Sequence, residues 1–451
     1  MWQGSGAVFG EIVTDSRKVK KGSVFVALRG ERLDGHEFLG DAVRRGALCL
    51  VVDRRPQRSG LGSATVVKVR DSLKALGDLA HYRRKLVSPR VLAITGSNGK
   101  TTTREMVAAI LEKASIHRAP LRGKVLKTEG NYNNLVGLPL TLLRLQGKEK
   151  AAIVELGTSR PGEIRRLTQI SDPDVGMITS VAPAHLAGLR SLTGVAREKG
   201  ELFQRMRPGG VAVVNQDDPW VRRLSEKFPG KKIAYGKKGQ VRGTQCKVLG
   251  MRGMEFTLHV GRDKRRIRLR LSGEHNVSNA VGAAAMAYGL GVGLEAIRHG
   301  LEAVKPFPMR MEMERWGGIG IINDAYNANP ASMKAALTAL AKFESRGKKV
   351  AVLGDMLELG GESEMRHVEL GKQAARLRID LLYLLGDEAD HVKKGALLGG
   401  MSTEQVIVGK NHQELARKLR GRVRGGDWIL FKGSRGMQME KVLAALKEIG
   451  V

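Results

Sequence analysis

The sequence predicts an α/β protein of three domains, in which the central domain is a doubly wound, mostly parallel sheet. Two observations support this prediction. The chain has 451 residues, about three times a typical domain of ~150 residues, so a single core would be too large. Its apolar runs are short and nearly unbroken, as in parallel strands that helices cover on both faces, and they alternate with helical stretches.

The first predicted domain spans residues 1–86 and is a small α/β unit. Short apolar runs at 22–28 and 47–53 predict two strands, and the apolar spacing within 71–86 predicts a closing helix. The segment VSPR at 87–90 is expected to link this unit to the next.

The second predicted domain spans residues 87–308. An apolar strand enters a glycine-containing loop at Gly96 and continues as a helix with apolar residues at i, i+3 and i+4 spacing. Further strands that are almost entirely apolar are predicted at 151–157, 175–181 and 209–215. Near the end of this domain the sequence predicts a strand with one solvated basic face at 262–270 and a glycine- and alanine-rich helix at 275–292.

The third predicted domain spans residues 309–451. Two prolines in KPFPMRMEME and a change of pattern place its start near residue 308. Four strand-like runs then alternate with helical stretches, which predicts a second α/β domain of the Rossmann-like kind: IGIIND, KKVAVLGDM, IDLLYLLGD and DWILFKGS.

Composition indicates a globular, cytoplasmic protein. No stretch of about 18 apolar residues occurs, and the first residues lack a basic segment followed by an apolar one. The two cysteines, Cys49 and Cys246, are far apart, so we expect buried thiols and neither a zinc site nor a disulfide. The net charge of +32 raises a nucleic-acid interpretation. Because no aromatic residues accompany the basic runs, no nucleic-acid partner is expected, and a weak association with an acidic inner-membrane surface is the alternative.

The strongest chemical motif is GSNGKT, which lies between a predicted strand and a predicted helix. It resembles a shortened phosphate-binding loop, in which backbone N–H groups cradle phosphates, Lys100 reaches the β and γ oxygens and Thr101 faces Mg²⁺. The predicted nucleotide-binding residues of this segment are Gly96, Ser97, Asn98, Gly99, Lys100, Thr101 and Thr102.

Three further side chains are predicted at the same rim of the central sheet. Glu155 ends the apolar run AAIVE, where a carboxylate without a function would be costly, so we expect it to bind the metal ion. His185 follows the run VGMITSV, and Lys199 lies on the next predicted helix. Both side chains are common in purely structural roles, so the residues alone leave their function open.

At this point the stretches TGSNGKTT, VELG and AHL to REKGELF together resemble the Mur ligase family, which joins amino acids or peptides to UDP-muramoyl precursors. Similar blocks extend over nearly the whole chain. They are TDSRKVKKGSVFVALRGERLDGHEF, GNYNNLVGLPLTLL, GEHNVSNAVGAAA, NDAYNANPASM, GDMLELG and KGSRGMQME.

The C-terminal blocks resemble the branch of the family that adds D-alanyl-D-alanine. The tripeptide-forming branch would be expected to carry DYAHTPD where residues 324–330 are DAYNANP, and no DNPR motif is present. The resemblance therefore implies an ATP-dependent ligase that adds D-alanyl-D-alanine to UDP-N-acetylmuramoyl tripeptide through an acyl phosphate. It also implies a UDP-muramoyl substrate domain at 1–86, an ATP-binding domain at 87–308 and a ligase domain at 309–451.

The resemblance also implies roles for individual residues. Thr101 and Glu155 would hold one Mg²⁺ ion, and His185 and a carbamylated Lys199 would serve a second. Asn276 and Asn279 would contact adenine, and Arg310 and Asp324 would be brought to the nucleotide by the last domain. The implied catalytic residues are Lys100, Asn134, His185, Lys199 and Arg310.

The two substrates are expected at different ends of the chain. The UDP portion is assigned to Ser16, Arg17, Asp34, Gly35 and His36, and the dipeptide to Tyr326, Asn327, Asn329 and Ser434. One departure from the family is Met309, which stands where many members have glycine before the arginine.

Three alternative functions remain open at this stage. A tripeptide-forming Mur ligase would share the N-terminal domain, whereas a folylpolyglutamate synthetase would lack it. A non-enzymatic P-loop protein, acting on nucleic acid because of the +32 charge, would show binding that weakens steeply with salt. A monomer is the expected oligomeric state.

Overall fold

The protein is described here by a computed structural model, which covers residues 9–56, 61–114 and 124–450. In these ranges the chain forms three sheets of four, nine and six strands with helices packed against them. The predicted α/β class is therefore confirmed, whereas the exact boundaries at residues 86 and 308 stay predictions. None of the helices in the described part of the chain has the length and apolar character that a membrane crossing requires.

The N-terminal sheet has four parallel strands in the order β1-β2-β3-β4. The elements are β1 (Ile12–Val13), β2 (Val24–Val26), α1 (Leu39–Arg44), β3 (Cys49–Val52), β4 (Thr65–Lys68) and α2 (Ser72–Val87). Two of these strands, β1 and β4, were not predicted.

The linker predicted at 87–90 is wrong in extent. Helix α2 begins where the Asp71 carboxylate accepts a hydrogen bond from the backbone N–H of Lys74 at 2.8 Å, and it continues to Val87. The residue that caps its C-terminal end is Ser88, which has a left-handed backbone with φ of +51°. The next strand already starts at Arg90, so only two residues connect the elements.

The central sheet is built from nine strands. Its first elements are β5 (Arg90–Thr95), α3 (Lys100–Ala114), β6 (Lys124–Lys127), α4 (Gly137–Leu143), β7 (Glu149–Glu155), α5 (Glu163–Ser171), β8 (Val175–Ile178), α6 (Leu186–Leu189), α7 (Leu192–Arg205) and β9 (Val211–Asn215). They are followed by α8 (Pro219–Ser225), β10 (Lys231–Tyr235), β11 (Val241–Val248), β12 (Met254–Val260), β13 (Asp263–Leu269), α9 (Glu274–Gly289) and α10 (Leu294–Ala303).

The strand order of this sheet, β13-β12-β11-β10-β9-β8-β5-β7-β6, puts β5 at a switch point. From β5 the chain builds β6 and β7 on one side and then β8, β9 and β10 on the other. A crevice therefore opens at the carboxyl end of β5, which is where ligands bind in open α/β sheets. The strand alternates between two cores, with Leu92 and Ile94 packed on one face and Val91 and Ala93 on the other.

The far edge of the central sheet changes to antiparallel pairing, between β11 and β12 and between β12 and β13. The basic strand predicted at 262–270 is confirmed as β13. Cys49 is buried as predicted, but the prediction of a buried Cys246 is wrong. Strand β11 bulges between Thr244 and Lys247, and in this irregular half of the strand Cys246 is exposed.

The C-terminal sheet has six strands in the order β14-β15-β19-β16-β17-β18. Only the pair β14 and β15 is antiparallel. The elements are β14 (Glu312–Trp316), β15 (Ile319–Asn323), α11 (Pro330–Lys342), β16 (Lys349–Gly354), α12 (Ser363–Arg376), β17 (Leu381–Leu385), α13 (Ala389–Leu398), β18 (Val406–Gly409), α14 (His412–Arg420), β19 (Trp428–Lys432) and α15 (Glu440–Ile449).

Candidate active site

The predicted phosphate-binding loop connects β5 to α3 at the switch point. Gly96 and Gly99 have φ of +147° and +82°. A Cβ atom at Gly96 would lie 1.8 Å from Thr179 Oγ1, and one at Gly99 would lie 2.4 Å from Asn279 Oδ1. Both positions therefore require glycine for backbone conformation and for space, and the loop can present its N–H groups at the start of α3.

Lys100 and Thr101 begin α3, and their side chains face the same cavity. The Lys100 ammonium donates a hydrogen bond to the Gly96 carbonyl at 2.7 Å. The pKa of Lys100 is lowered, first by desolvation and then by Arg310, against an opposing effect of Glu155. An anionic phosphate would relieve this cost, so the loop is built for a negatively charged ligand.

Thr101 joins the loop to two other parts of the chain. Its hydroxyl donates to Glu155 Oε2 at 3.3 Å and accepts a hydrogen bond from Arg310 Nη2 at 3.0 Å. The Arg310 guanidinium lies 3.9 Å above the ring centre of Tyr326, which fixes its direction. An arginine that follows the last domain boundary predicted from sequence thus reaches the phosphate-binding loop.

Glu155 ends β7 as predicted and is 1% exposed. Its Oε1 atom lies 2.8 Å from Arg104 Nη1, and neither atom makes a hydrogen bond of good geometry. Among residues 9–56, 61–114 and 124–450, no three His, Cys, Asp or Glu side chains are grouped to hold a metal ion. The pair of Glu155 and Thr101 still fits Mg²⁺, because this ion usually takes only one or two protein carboxylates and completes its shell with phosphates and water.

His185 and Lys199 also line this cavity. His185 has a left-handed backbone with φ of +55°, and its Nδ1 atom contacts the Glu358 carboxylate of the C-terminal domain. Lys199 lies on α7 and is 2% exposed. Desolvation first, and then the nearby Lys100, lower the pKa of Lys199 to about 7, with Glu198 acting in the opposite direction.

The two asparagines predicted for adenine lie at the start of α9 and line the cavity. Asn276 is buried and donates to the Ser272 carbonyl at 2.7 Å, and Asn279 donates to Asn276 Oδ1 at 3.2 Å. Asn134 also lines the cavity, but its side-chain oxygen accepts from the N–H groups of Val136 at 3.1 Å and Gly137 at 2.8 Å in the turn that leads into α4.

The C-terminal domain completes the cavity from the opposite side. Asn329 Nδ2 donates to Asn98 Oδ1 at 2.8 Å, and Asp324 Oδ1 accepts from the N–H of Met311 at 3.1 Å. The cavity has a volume of about 660 Å³ and brings together most of the predicted site residues: Ser97, Asn98, Gly99, Lys100, Thr101, Thr102, Asn134, Glu155, His185, Lys199, Asn276, Asn279, Arg310, Asp324, Tyr326, Asn327 and Asn329.

The sequence matches known family profiles in three regions. They are described as the Mur ligase family catalytic domain at residues 9–84, the Mur ligase middle domain at 94–287 and the Mur ligase glutamate ligase domain at 309–435. The UDP-N-acetylmuramoyl-tripeptide--D-alanyl-D-alanine ligase of Escherichia coli K12 is 36% identical over 99% of this chain and 96% of its own length. The chain belongs to the Mur ligase family.

Solved structures agree with this assignment. MurF from Acinetobacter baumannii has a TM-score of 0.89 and 34% sequence identity over 97% of this chain and 93% of its own. MurF from Thermotoga maritima, solved in complex with ADP, has a TM-score of 0.87 and 28% identity over 98% of both chains. The resemblance and the three-domain fold inferred from sequence are therefore confirmed.

In this Mur ligase the residues predicted for the UDP portion lie outside the cavity around the phosphate-binding loop. Asp34 accepts from the backbone N–H of His36 at 2.9 Å and from its Nδ1 atom at 2.7 Å, and His36 Nε2 lies 3.3 Å from Asp53 Oδ1. Arg17, which is largely exposed, pairs with Asp15 at 2.8 Å. Ser16 is buried. A Cβ atom at Gly35 would lie 2.7 Å from the Leu28 backbone nitrogen.

Ser434 is the one residue predicted for the dipeptide that does not line the cavity of this Mur ligase. It is 3% exposed. Its hydroxyl accepts from the N–H of Leu357 at 2.9 Å and donates to the Ala328 carbonyl at 3.4 Å. Both functions of the hydroxyl are thus used to join three loops of the C-terminal domain.

Lys432 is a site residue that sequence reasoning missed. It is 2% exposed at the end of β19, donates to Asp324 Oδ2 at 2.6 Å and to the Asn327 carbonyl at 2.9 Å, and lines the cavity. The signal in the sequence was a lysine that ends the apolar run DWILFK, the same signal that identified Glu155. His275, also in the cavity, was missed as well, and desolvation lowers its pKa.

We expect Lys432→Met to destabilise the protein by about 3–5 kcal/mol, because it leaves the partly buried Asp324 carboxylate without its cation. Urea unfolding measures the change. Lys447→Met is the matched control, since Lys447 pairs with Glu314 at the same 2.6 Å but both side chains are more than a third exposed, and its loss should cost less than about 1 kcal/mol. Equal effects of the two substitutions would contradict a special role of Lys432.

Proposed function

We propose that this Mur ligase joins D-alanyl-D-alanine to the terminal carboxylate of UDP-N-acetylmuramoyl tripeptide in peptidoglycan precursor synthesis, with ATP cleaved to ADP and phosphate. The observation that carries the proposal is the single cavity in which Lys100 and Thr101 of the central domain face Arg310 and Asn329 of the C-terminal domain. Relatives named UDP-N-acetylmuramoyl-tripeptide--D-alanyl-D-alanine ligase match the chain along nearly its whole length, which supports the choice of substrates.

The chemistry follows from the charges of the reactants. A carboxylate oxygen of the tripeptide forms a bond to the γ-phosphorus of ATP while the bond to the β–γ bridging oxygen breaks, which gives an acyl phosphate and ADP. The dipeptide amine then forms a bond to the carbonyl carbon, loses a proton and expels phosphate. Both reactants of the first step are anions, so Lys100 and Arg310 act by neutralising their repulsion as they approach.

Mg²⁺ would be held by two sets of donors, with Thr101 and Glu155 in one set and His185 and the carbamylated form of Lys199 in the other. Bound there, the metal ions would offset charge on the phosphates. The Arg104 guanidinium lies 2.8 Å from Glu155 Oε1, so a cation accompanies this carboxyl group in its buried position. His185 keeps its Nε2 atom for a ligand because its Nδ1 atom contacts Glu358.

We further propose that Lys199 is carbamylated by CO₂, which converts its amine to an anion with oxygen donors. The position supports this, since the side chain is 2% exposed and a neutral or anionic group there avoids the repulsion from Lys100. An ammonium group could not bind a metal ion, whereas a carbamate can.

A spectroscopic experiment tests the carbamate directly. In ¹³C-labelled bicarbonate, the protein is expected to show one carbamate resonance that persists at neutral pH and is absent from Lys199→Arg. Lys227→Arg on the surface is the control and should keep the signal. A spectrum of Lys199→Arg that retains the resonance would assign it to another amine and contradict the proposal.

The remaining contacts are proposed by position. Residues 1–86 hold the UDP-muramoyl substrate through Ser16, Arg17, Asp34, Gly35 and His36, residues 87–308 bind ATP and residues 309–451 receive the dipeptide. Asn276 and Asn279 face adenine, and Asp324 with Lys432 faces the nucleotide. Closure of the last domain over the central one would exclude water from the acyl phosphate.

The test of the proposed function is phosphate release with ATP, Mg²⁺ and UDP-muramoyl tripeptide, with product mass measured in parallel. We expect turnover with D-alanyl-D-alanine and not with free lysine or diaminopimelate. Turnover only with a diamino acid and the dipeptide-stage acceptor would make the chain a tripeptide-forming ligase, and the absence of turnover with every acceptor would overturn the proposal.

A further inference from the structure

The unexplained positive charge of this chain is concentrated at one edge of the central sheet. Between Lys231 and Arg270 the sequence has thirteen lysines and arginines and only two acidic residues. This segment forms β10 to β13, and β13 is the edge strand. The charge therefore collects at this end of the central sheet.

The alternation of β13 places three of its four cations on one face, and Arg265 on the other face pairs with Glu295. Ile267 and Leu269 point into the core, so the alternate residues Lys264, Arg266, Arg268 and Arg270 point outward and are exposed. They form a row that is roughly 20 Å long, at about 3.3 Å per residue. Neighbouring cations in this row are about 7 Å apart, twice the rise per residue, so together they attract an anionic partner.

A groove of about 800 Å³ lies on this face, lined by Lys247, Arg252, Arg266, Arg268 and Arg270, with Glu255, Arg298, Glu302 and Leu249. Its two carboxylates are already paired, Glu255 with Arg268 at 3.0 Å and Glu302 with Arg298 at 3.2 Å. Within the described ranges, Lys247, Arg252, Lys264 and Arg270 form no ion pair. We call this surface, the outward face of β11 to β13 with the turn after β11, the basic face.

The turn after β11 also carries an exposed apolar side chain. Met251 is 40% exposed and lies next to Arg252. No phenylalanine, tryptophan or tyrosine points outward from these three strands, so stacking on nucleic-acid bases has no platform. Flat basic surfaces with adjacent apolar tips are suited to the boundary between lipid headgroups and acyl chains.

We propose that the basic face docks this protein reversibly on a bilayer surface that contains anionic phospholipids. The cations lie over the headgroup phosphates, and Met251 enters the interface. The groove shares no lining residue with the cavity around the phosphate-binding loop, so docking leaves that cavity open. The proposal does not depend on the ligase activity, since binding to vesicles is measured without substrates.

Vesicle flotation tests the proposal with the full chain. The unchanged protein is expected to float with phosphatidylcholine vesicles that contain one part in three of phosphatidylglycerol, but not with phosphatidylcholine alone. The variant K247Q/R252Q/K264Q/R270Q should bind the anionic vesicles about a hundredfold more weakly. Its thermal unfolding midpoint should match that of the unchanged protein, which shows that the fold is kept.

The matched control R346Q/K410Q/R417Q/K441Q removes four exposed positive charges from the C-terminal domain and should bind within about threefold of the unchanged protein. Met251→Ser should weaken binding severalfold. Leu398→Ser, which changes an exposed apolar side chain of the C-terminal domain, should not. Equal weakening by the two fourfold variants would assign binding to net charge and overturn the proposal. Tighter binding of duplex DNA than of anionic vesicles at the same salt concentration would also overturn it.

Discussion

Replacing Lys100 by methionine is expected to lower the ligase kcat/KM by about 10⁴-fold and to leave the fold intact. Lys100 is the cation of the phosphate-binding loop, and methionine keeps the length of its side chain without the charge. Desolvation lowers the pKa of this lysine, so the charge is a cost to the folded protein and its removal should not reduce the midpoint of unfolding.

The control for this prediction is Lys113→Met, the same substitution at an exposed position of the same helix. It should change neither activity nor stability. Steady-state kinetics and urea unfolding of both variants make the comparison. If Lys100→Met retained a tenth of the activity, the phosphate-binding loop would not be the site of phosphoryl transfer.

Replacing Arg310 by alanine is expected to lower kcat by about 10³-fold, which is the lower part of the range for an arginine brought to a transferring phosphoryl group. The guanidinium reaches across from the C-terminal domain to Thr101 at 3.0 Å, and Tyr326 holds its plane. Arg310→Lys should recover little, because an ammonium group neither stacks on the ring nor presents two donors in a plane.

Arg315 provides a matched control in the same domain. Its guanidinium also lies over an aromatic ring, 5.1 Å from the centre of Trp428, and it is absent from the lining of the cavity. Arg315→Ala should therefore keep normal kcat. Should Arg310→Ala raise KM for ATP with unchanged kcat, the arginine would serve binding only and not the reaction.

Much of this site could be predicted from single elements of the sequence. The loop from Gly96 to Thr101 combines a strand, two glycines and a helix start, and Glu155 is a charge at the end of an apolar run. Both signals are local, and Glu155 and the loop residues from Ser97 to Thr101 line the cavity as expected. The family resemblance added Arg310 and Asp324, which no local pattern indicated.

What could not be predicted depends on contacts between distant parts of the chain. Asn329 meets Asn98 and Glu358 meets His185 only because the C-terminal domain lies against the central one. Ser434 was expected near the dipeptide, but its hydroxyl is used by Leu357 and Ala328. The basic side of β13 was predicted from the residues at 262–270, but its continuation to Lys247 and Arg252 appears only when β11 to β13 align in one sheet.

Met309, the residue that departs from the family pattern, has a backbone conformation that favours glycine. It stands where many family members have glycine, and its φ is +56°, in the left-handed region that glycine adopts without strain. The backbone keeps the turn that directs Arg310 to Thr101, with the Met309 carbonyl accepting from the N–H of Tyr326 at 3.1 Å. The local conformation is thus maintained at the cost of some strain.

The most direct measurement of the central claim follows the oxygen of the acceptor carboxylate. UDP-muramoyl tripeptide labelled with ¹⁸O in its terminal carboxylate is incubated with ATP, Mg²⁺ and D-alanyl-D-alanine, and the released phosphate is analysed by mass. Transfer of one ¹⁸O atom to phosphate in each turnover is the predicted result, because the acyl phosphate leaves that oxygen on phosphorus. Phosphate without the label, released while amide forms, would contradict the account.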